Sequence, residues 1–285
     1  MVMGAKKQNL ASIGVTTTGA EILTISALTV ATDKTVTVNW GDGSSDTYSG
    51  AGARTHNYAG AGVWKVKFSN QQNITVFNCS DNKVTLNSKD VKGMINVTDF
   101  RINGLKAGRF DSSDVSAWRP TTFSLYSMPA GYSGTFNSSD VSAWRPTNFY
   151  LHSMPTGYAG TFNSTDVSAW RPTTFYLYSM PVATFTITIT ANGFAGWITT
   201  TNFQMQNNSL SQTQVVQILA DFWAGFATRT GAAGTINVGT NNAAPGGTYQ
   251  AANPPTTGLE FRYELLNDSQ NINPTKKWAT VTVAS

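Results

Sequence analysis

The chain is expected to be mostly β, with a small β domain over residues 1–69, a stacked solenoid over 70–208 and an α/β capping region over 209–285. Three observations lead there. The heptapeptide DVSAWRP stands three times, at Asp114–Pro120, Asp140–Pro146 and Asp166–Pro172, a period of 26 residues. Apolar residues alternate with period two in short runs through the first two domains, the mark of strands with one buried face. Helical spacing of apolar residues enters only near the C-terminus.

In the first domain, Ile22–Val30 and Thr35–Trp40 alternate as strands. Gly41-Asp42-Gly43-Ser44 makes a tight turn, followed by His56-Asn57-Tyr58 and the run Gly62–Phe68. This combination of a GDGS turn, a His-x-Tyr corner and a Gly-initiated aromatic strand resembles the PKD-type immunoglobulin-like domain. The resemblance implies a non-catalytic β-sandwich, serving surface and virion proteins as a spacer or adhesive module. Asp42 and Asp46 fit a calcium site. They equally fit turn carboxylates that accept backbone N–H groups, and His56 fits a structural corner.

The solenoid extends beyond the three plain copies. Aligned on the aromatic after each heptapeptide, the pairs are Phe77/Cys79, Phe100/Ile102, Phe123/Leu125, Phe149/Leu151, Phe175/Leu177 and Phe203/Met205, at steps of 23, 23, 26, 26 and 28 residues. A second apolar column holds Leu86, Phe110, Phe136, Phe162 and Ile189. A third holds Met94, Trp118, Trp144, Trp170 and Trp197. A period of about 20–50 residues marks units that bury their apolar side only by stacking, here about six coils. Each coil reads as a short Phe-x-Leu strand ended by Ser-Met-Pro, since proline has no N–H for the ladder. A second extended piece, GTFN, follows. Next comes a turn of helix that Ser, Asn and Asp can cap, and then Arg-Pro, which returns the chain. Stacked Phe-x-Leu strands with a return turn every coil resemble a divergent leucine-rich-repeat solenoid, with Ser127, Ser153 and Ser179 nearest the family's Asn ladder. The Asp114/Asp140/Asp166 and Arg119/Arg145/Arg171 columns are expected to neutralise each other or cap their turns, or else the arginines grip an anionic ligand or another subunit.

In the last region, Ser211-Gln212-Thr213-Gln214 has the form of a capping box. Val215, Ile218, Leu219, Phe222 and Phe226 put one apolar face on a helix over Ser211–Phe226 that would cover the last coil's open edge. Thr235–Val238 reads as a strand, Asn241–Pro255 as turns, Leu259–Leu266 as a helix and Trp278–Val283 as a final strand. The succession resembles C-terminal caps of repeat proteins from phage and bacterial surfaces.

Composition narrows the function. Only 12% of the 285 residues are charged, and the net charge of +4 is dispersed, so no basic face for nucleic acid is expected. Cys79, the one cysteine, allows no intrachain disulfide and fits a buried strand slot. No apolar run has the length to cross a membrane, and MVMGAKKQNLASIG lacks the apolar core of a secretory leader. No cofactor, metal or catalytic motif is expected. A polysaccharide-active enzyme would need two carboxylates about 5–10 Å apart, and Asp99 and Asp111 are the nearest candidates.

Residues between the buried Phe and Leu face outward. They are Ser124, Tyr150 and Tyr176, then Tyr126, His152 and Tyr178, with Arg101, Asn103, Gln204 and Gln206 on flanking coils. Tyr126, Tyr150, His152, Tyr176, Tyr178, Arg101 and Gln204 are the expected binding set, exposed for a glycan or protein. Sheet packing and subunit contact are the competing roles. The expected function is a non-enzymatic virion surface protein, such as a phage capsid decoration, head fibre or tail component. Its partners would be other virion subunits, copies of itself, and host glycan or surface protein. A bacterial cell-surface adhesin of the same architecture is the alternative.

Overall fold

The structure, a computed structural model, describes residues 12–285; most of the polar N-terminal stretch read above lies outside the described residues. Six strands open the chain: β1 (Ser12–Thr17), β2 (Glu21–Val30), β3 (Val36–Asn39), β4 (Ser45–Tyr48), β5 (Ala51–Tyr58) and β6 (Gly62–Phe68). Their alternation buries Ile13, Val15, Leu23, Ile25, Val36, Val38 and Phe68 on one side. Each following coil contributes a front and a back strand. The pairs are β7 (Ile74–Cys79) with β8 (Val84–Asn87), β9 (Asp99–Asn103) with β10 (Ala107–Arg109), β11 (Thr122–Tyr126) with β12 (Tyr132–Asn137), β13 (Asn148–His152) with β14 (Tyr158–Asn163), and β15 (Thr174–Tyr178) with β16 (Phe185–Thr188). β17 (Asn202–Gln204) continues the front sheet but has no back strand after it. The solenoid therefore has five turns rather than six. The Phe203/Met205 coil is completed by a helix.

The front strands stack in parallel with each Phe opposite the next: Phe77, Phe100, Phe123, Phe149, Phe175 and Phe203 occupy one register column. Their rings stack at centroid distances between 5.4 and 6.2 Å. Trp118, Trp144, Trp170 and Trp197 are buried at the closing turn, as expected. Each lies on the Phe that heads its own coil, Trp144 on Phe123 at 5.0 Å and Trp170 on Phe149 at 5.1 Å. In the back sheet Leu86, Phe136 and Phe162 lie opposite Gly108, Gly160 and Ile187, and the next residue of the apolar column, Phe110, Phe162 or Ile189, stands two positions further on. Gly134 and Gly160 sit where successive back strands approach closely. Their φ values are +131° and +138°, and a Cβ on either would collide with the carbonyl of Phe110 or Phe136, so only glycine fits.

The acidic column does not neutralise the arginines, and the turns at Ser88–Val91, Ser112–Val115 and Ser138–Val141 have no side-chain cap, whereas Asn163 Oδ1 caps the turn of the next coil by accepting Thr165 N–H at 3.1 Å. Asp114 accepts from Ser88 Oγ at 2.6 Å, Asp140 from Ser112 Oγ at 2.5 Å and Asp166 from Ser138 Oγ at 2.6 Å. The same serines accept backbone N–H groups of the next coil, Asn137 and Asn163 at 2.9 and 2.8 Å. A Ser–Asp staple thus ties each coil to its neighbour, satisfying serines that are fully buried. Arg119, Arg145 and Arg171 instead donate to carbonyls of their own turns, from Ser116, Ser142 and Ser168. Ser127, Ser153 and Ser179 do not form an Asn-type ladder; they take the left-handed turn after each front strand, at φ +51°, +53° and +52°.

Both sheets run on without a break from the first six strands into the coils. The front order is β19-β18-β17-β15-β13-β11-β9-β7-β2-β5 and the back order β16-β14-β12-β10-β8-β1-β6-β3-β4. Strands β1 and β2 pair with β8 and β7, so the solenoid grows directly from the opening strands. After the coils come α2 (Gln212–Ala224), β18 (Thr235–Val238), α3 (Gly258–Asn267) and β19 (Thr280–Val283), with α1 the single turn Ser88–Val91. The Ser211/Gln214 capping box is formed. α2 covers the back-sheet edge rather than the front one: Gln214 Nε2 donates to Ile187 O of β16 at 2.7 Å, and Phe222 packs on Phe194, Phe203 and Trp278. The front sheet continues instead through β18 and β19, both parallel. Cys79 is buried as expected.

Candidate functional site

Register places the expected binding residues in two rows on the outer face of the front sheet. Arg101, Ser124, Tyr150, Tyr176 and Gln204 are direct cross-strand neighbours in that order. Asn103, Tyr126, His152 and Tyr178 form the second row. The structure brings all seven expected residues to one face, because strands in parallel register repeat their side-chain directions.

The second row is a continuous stack. Tyr126 lies on His152 at 4.7 Å and 20°, and His152 on Tyr178 at 4.2 Å and 12°. His152 is therefore not exposed as expected: it is 8% exposed, closed in by the tyrosine on each side. Burial pushes its pKa down to about 4, so the imidazole is neutral near pH 7, and its Nδ1 lies 3.2 Å from Ser153 Oγ. Tyr150 and Tyr176 meet edge to face at 5.1 Å. The pKa values of Tyr176 and Tyr178 are raised by burial, so both hydroxyls remain donors in neutral solution.

The first row has a gap. Its side chains run large, small, large, and over Ser124 the face sinks into a depression of about 330 Å³ lined by Arg101, Ser124, Tyr126, Tyr150, His152 and Tyr176. Arg101 forms one wall. Its Nε and Nη2 make a bidentate pair with Asp99 at 2.7 and 2.8 Å, which raises the guanidinium pKa. Gln204 closes the far end of the row, joined to Gln206 at 3.2 Å.

Asp99 belongs to this face but stands outside the expected binding set, although its spacing of two from Arg101 on one strand signals a shared side. As catalytic candidates, Asp99 and Asp111 are not brought together. Asp99 is on the front sheet with Arg101, and Asp111 follows β10 on the back sheet, held by Arg109 at 2.6 Å. In the turn after β3, Asp42 accepts from Ser44 Oγ at 2.6 Å and lies 2.7 Å from His56 Nε2; burial raises its pKa, but the hydroxyl and backbone N–H of Ser44, and then His56, outweigh this and bring it down to about 2. Asp46 accepts from Trp40 Nε1 at 2.7 Å. These two carboxylates are held by protein donors, and among the described residues no group of three or more His, Cys, Asp or Glu is placed to hold a metal ion. No helix of the described residues is long and apolar enough to cross a membrane.

No protein-family model matches the chain, nor does any curated protein or solved structure.

Proposed function

We propose that the protein is a non-enzymatic recognition component of a virion surface, and that its solenoid presents the front sheet to a host glycan or a partner subunit. The observation that supports it is the double row of half-buried tyrosines on a rigid parallel sheet. Such rings offer apolar edges with polar tips, at little entropic cost because they are already stacked. The low charge of the chain, 12%, suits a surface that meets many copies of itself. In this proposal the opening strands act as a PKD-like spacer or docking module, and the α2–β19 region as the C-terminal cap of a leucine-rich-repeat-like array. A bacterial surface adhesin would use the same face and differ only in where the chain is displayed.

The test is attachment. In a double variant Tyr126→Ala/Tyr178→Ala, each lost ring removes on the order of 1 kcal/mol, so attachment of purified protein to intact host cells or particles should weaken about tenfold or more. Unchanged attachment by a variant with unaltered circular dichroism would move the binding surface off this face. Immunogold electron microscopy of the source material separates the two locations: label on particles supports the virion, and label on cell envelopes the adhesin.

A further inference from the structure

The gap at Ser124 is the one break in an otherwise filled row. On the next two coils the same register position holds Tyr150 and Tyr176, and on the coil before it holds Arg101. Strands about 4.8 Å apart put the Arg101 and Tyr150 positions about 9.6 Å from each other, so the missing side chain leaves a slot one ring wide. Its floor is the Ser124 hydroxyl, which has no hydrogen-bond partner among the described residues. The second row supplies a side wall made of the ring edges of Tyr126 and His152, since both faces of His152 and one of Tyr126 are taken up in the stack.

The slot is electrically neutral. Arg101 is matched by Asp99, and His152, its pKa pushed down to about 4, carries no charge near pH 7. A ligand carboxylate reaching for Arg101 would meet the Asp99 carboxylate that already holds two of its donors. A ligand ammonium reaching for Asp99 would meet the guanidinium. What remains is hydrogen-bonding capacity: Arg101 Nη1, the Ser124 hydroxyl, and the tyrosine hydroxyls at the rim, beside an apolar aromatic wall. A volume of about 330 Å³ lies at the low end of the roughly 300–1,000 Å³ of small-ligand sites.

Given the front face as the binding surface, we propose that this slot is a subsite for a single neutral hexopyranose unit of a carbohydrate chain. The sugar's C–H groups pack against the ring edges of that wall, and its hydroxyls meet Ser124, Arg101 and the tyrosine tips. The ring occupies the place that a tyrosine fills on the neighbouring coils.

Titration of the whole chain with methyl glycosides of glucose, galactose, mannose and N-acetylglucosamine, followed by amide chemical shifts, tests this. Methyl glucuronide, glucosamine and adenosine serve as an anion, a cation and a planar heteroaromatic. At least one neutral glycoside should bind with shifts centred on Arg101, Ser124 and Tyr150, and bind at least about fivefold more tightly than the three comparison compounds. Ser124→Tyr fills the slot with the residue its own neighbours use, so the melting curve should be preserved while glycoside binding falls at least about tenfold. The inference is overturned if no neutral glycoside binds, if the glucuronide, glucosamine or adenosine binds as well, or if Ser124→Tyr binds normally. Should glycosides fail while Tyr126→Ala/Tyr178→Ala still weakens attachment, the front face stands as a protein-binding surface and only the sugar slot falls. Should Ser124→Tyr abolish glycoside binding while that double variant attaches normally, the slot stands and attachment resides elsewhere.

Discussion

Trp144→Ala strikes the middle of the solenoid, where two coils lie on each side. The ring is fully buried at the closing turn of its coil and packs on Phe123 at 5.0 Å and 54°. Truncating a buried Trp costs about 3–5 kcal/mol in lost transfer energy and cavity. The ring pair adds about 1 kcal/mol. Against this, Trp144 Nε1 is buried without a partner, so removing it returns on the order of 1 kcal/mol of desolvation. The expected net loss is about 4 kcal/mol, or roughly 8–15 °C in melting temperature for a chain of this size. Urea unfolding should be followed by far-UV circular dichroism, because eight tryptophans make fluorescence uninformative about one site. A second probe is needed because stacked coils can separate stepwise. Trp118→Ala makes the internal comparison: Trp118 Nε1 does have a partner, Lys92 O at 3.4 Å, so its loss should be larger by about 1 kcal/mol. A loss below about 1 kcal/mol for Trp144→Ala, with the spectrum unchanged, would refute the packed turn column.

Three further outcomes follow from the same geometry. Asp140→Ala cuts one Ser–Asp staple and leaves a buried serine short of its partner, so stability should fall by about 1.5–3 kcal/mol in urea; a loss under about 0.5 kcal/mol would mean the staple is idle. Gly134→Ala places a side chain where φ is +131° and the Phe110 carbonyl already sits, so it should destabilise by more than about 1 kcal/mol, read as a lower melting temperature, and an unshifted melt would contradict it. His152 has a folded pKa of about 4 against 6.5 for the free group; the unfolded chain therefore takes up its proton first as pH falls, and stability drops between about pH 6.5 and 4, then levels off. His152→Tyr, which copies the residues flanking it in the row, should remove that part of the slope in pH-dependent melts; an identical slope in the variant would exclude His152 as its source.

The coil architecture was legible because its signals are local. Period-two alternation within Phe-x-Leu, a proline after each strand and the recurrence of DVSAWRP need no knowledge of partners. The Ser211 capping box was legible for the same reason, since both hydrogen bonds close within one helical turn. What escaped depends on contacts between coils. His152 alternates outward like Tyr126, and only the rings on the neighbouring strands bury it. Asp140 reaches Ser112, 28 residues away, while Arg145 a few residues on looks like the nearer partner. The final coil reads like the others through Phe203, yet the residues after it carry helical rather than strand spacing, so α2 replaces the back strand.

The uniform 26-residue step of the central front strands makes the molecule adjustable in length. A chain lacking residues 114–139 presents Asp140 to Ser88 where Asp114 stood, and Phe149 to Phe100 where Phe123 stood, so the staple and the Phe column each have a ready substitute. The same excision sets Tyr150 directly beside Arg101 and erases the Ser124 slot. Removing 140–165 instead keeps Ser124, places Tyr176 beside it, and takes His152 out of the ring stack, leaving Tyr126 against Tyr178. Loss or gain of such a 26-residue unit would thus reshape the outer face in whole rungs while keeping the packing pattern of the core. Variation in the outer face is then uncoupled from the burden of refolding a new scaffold.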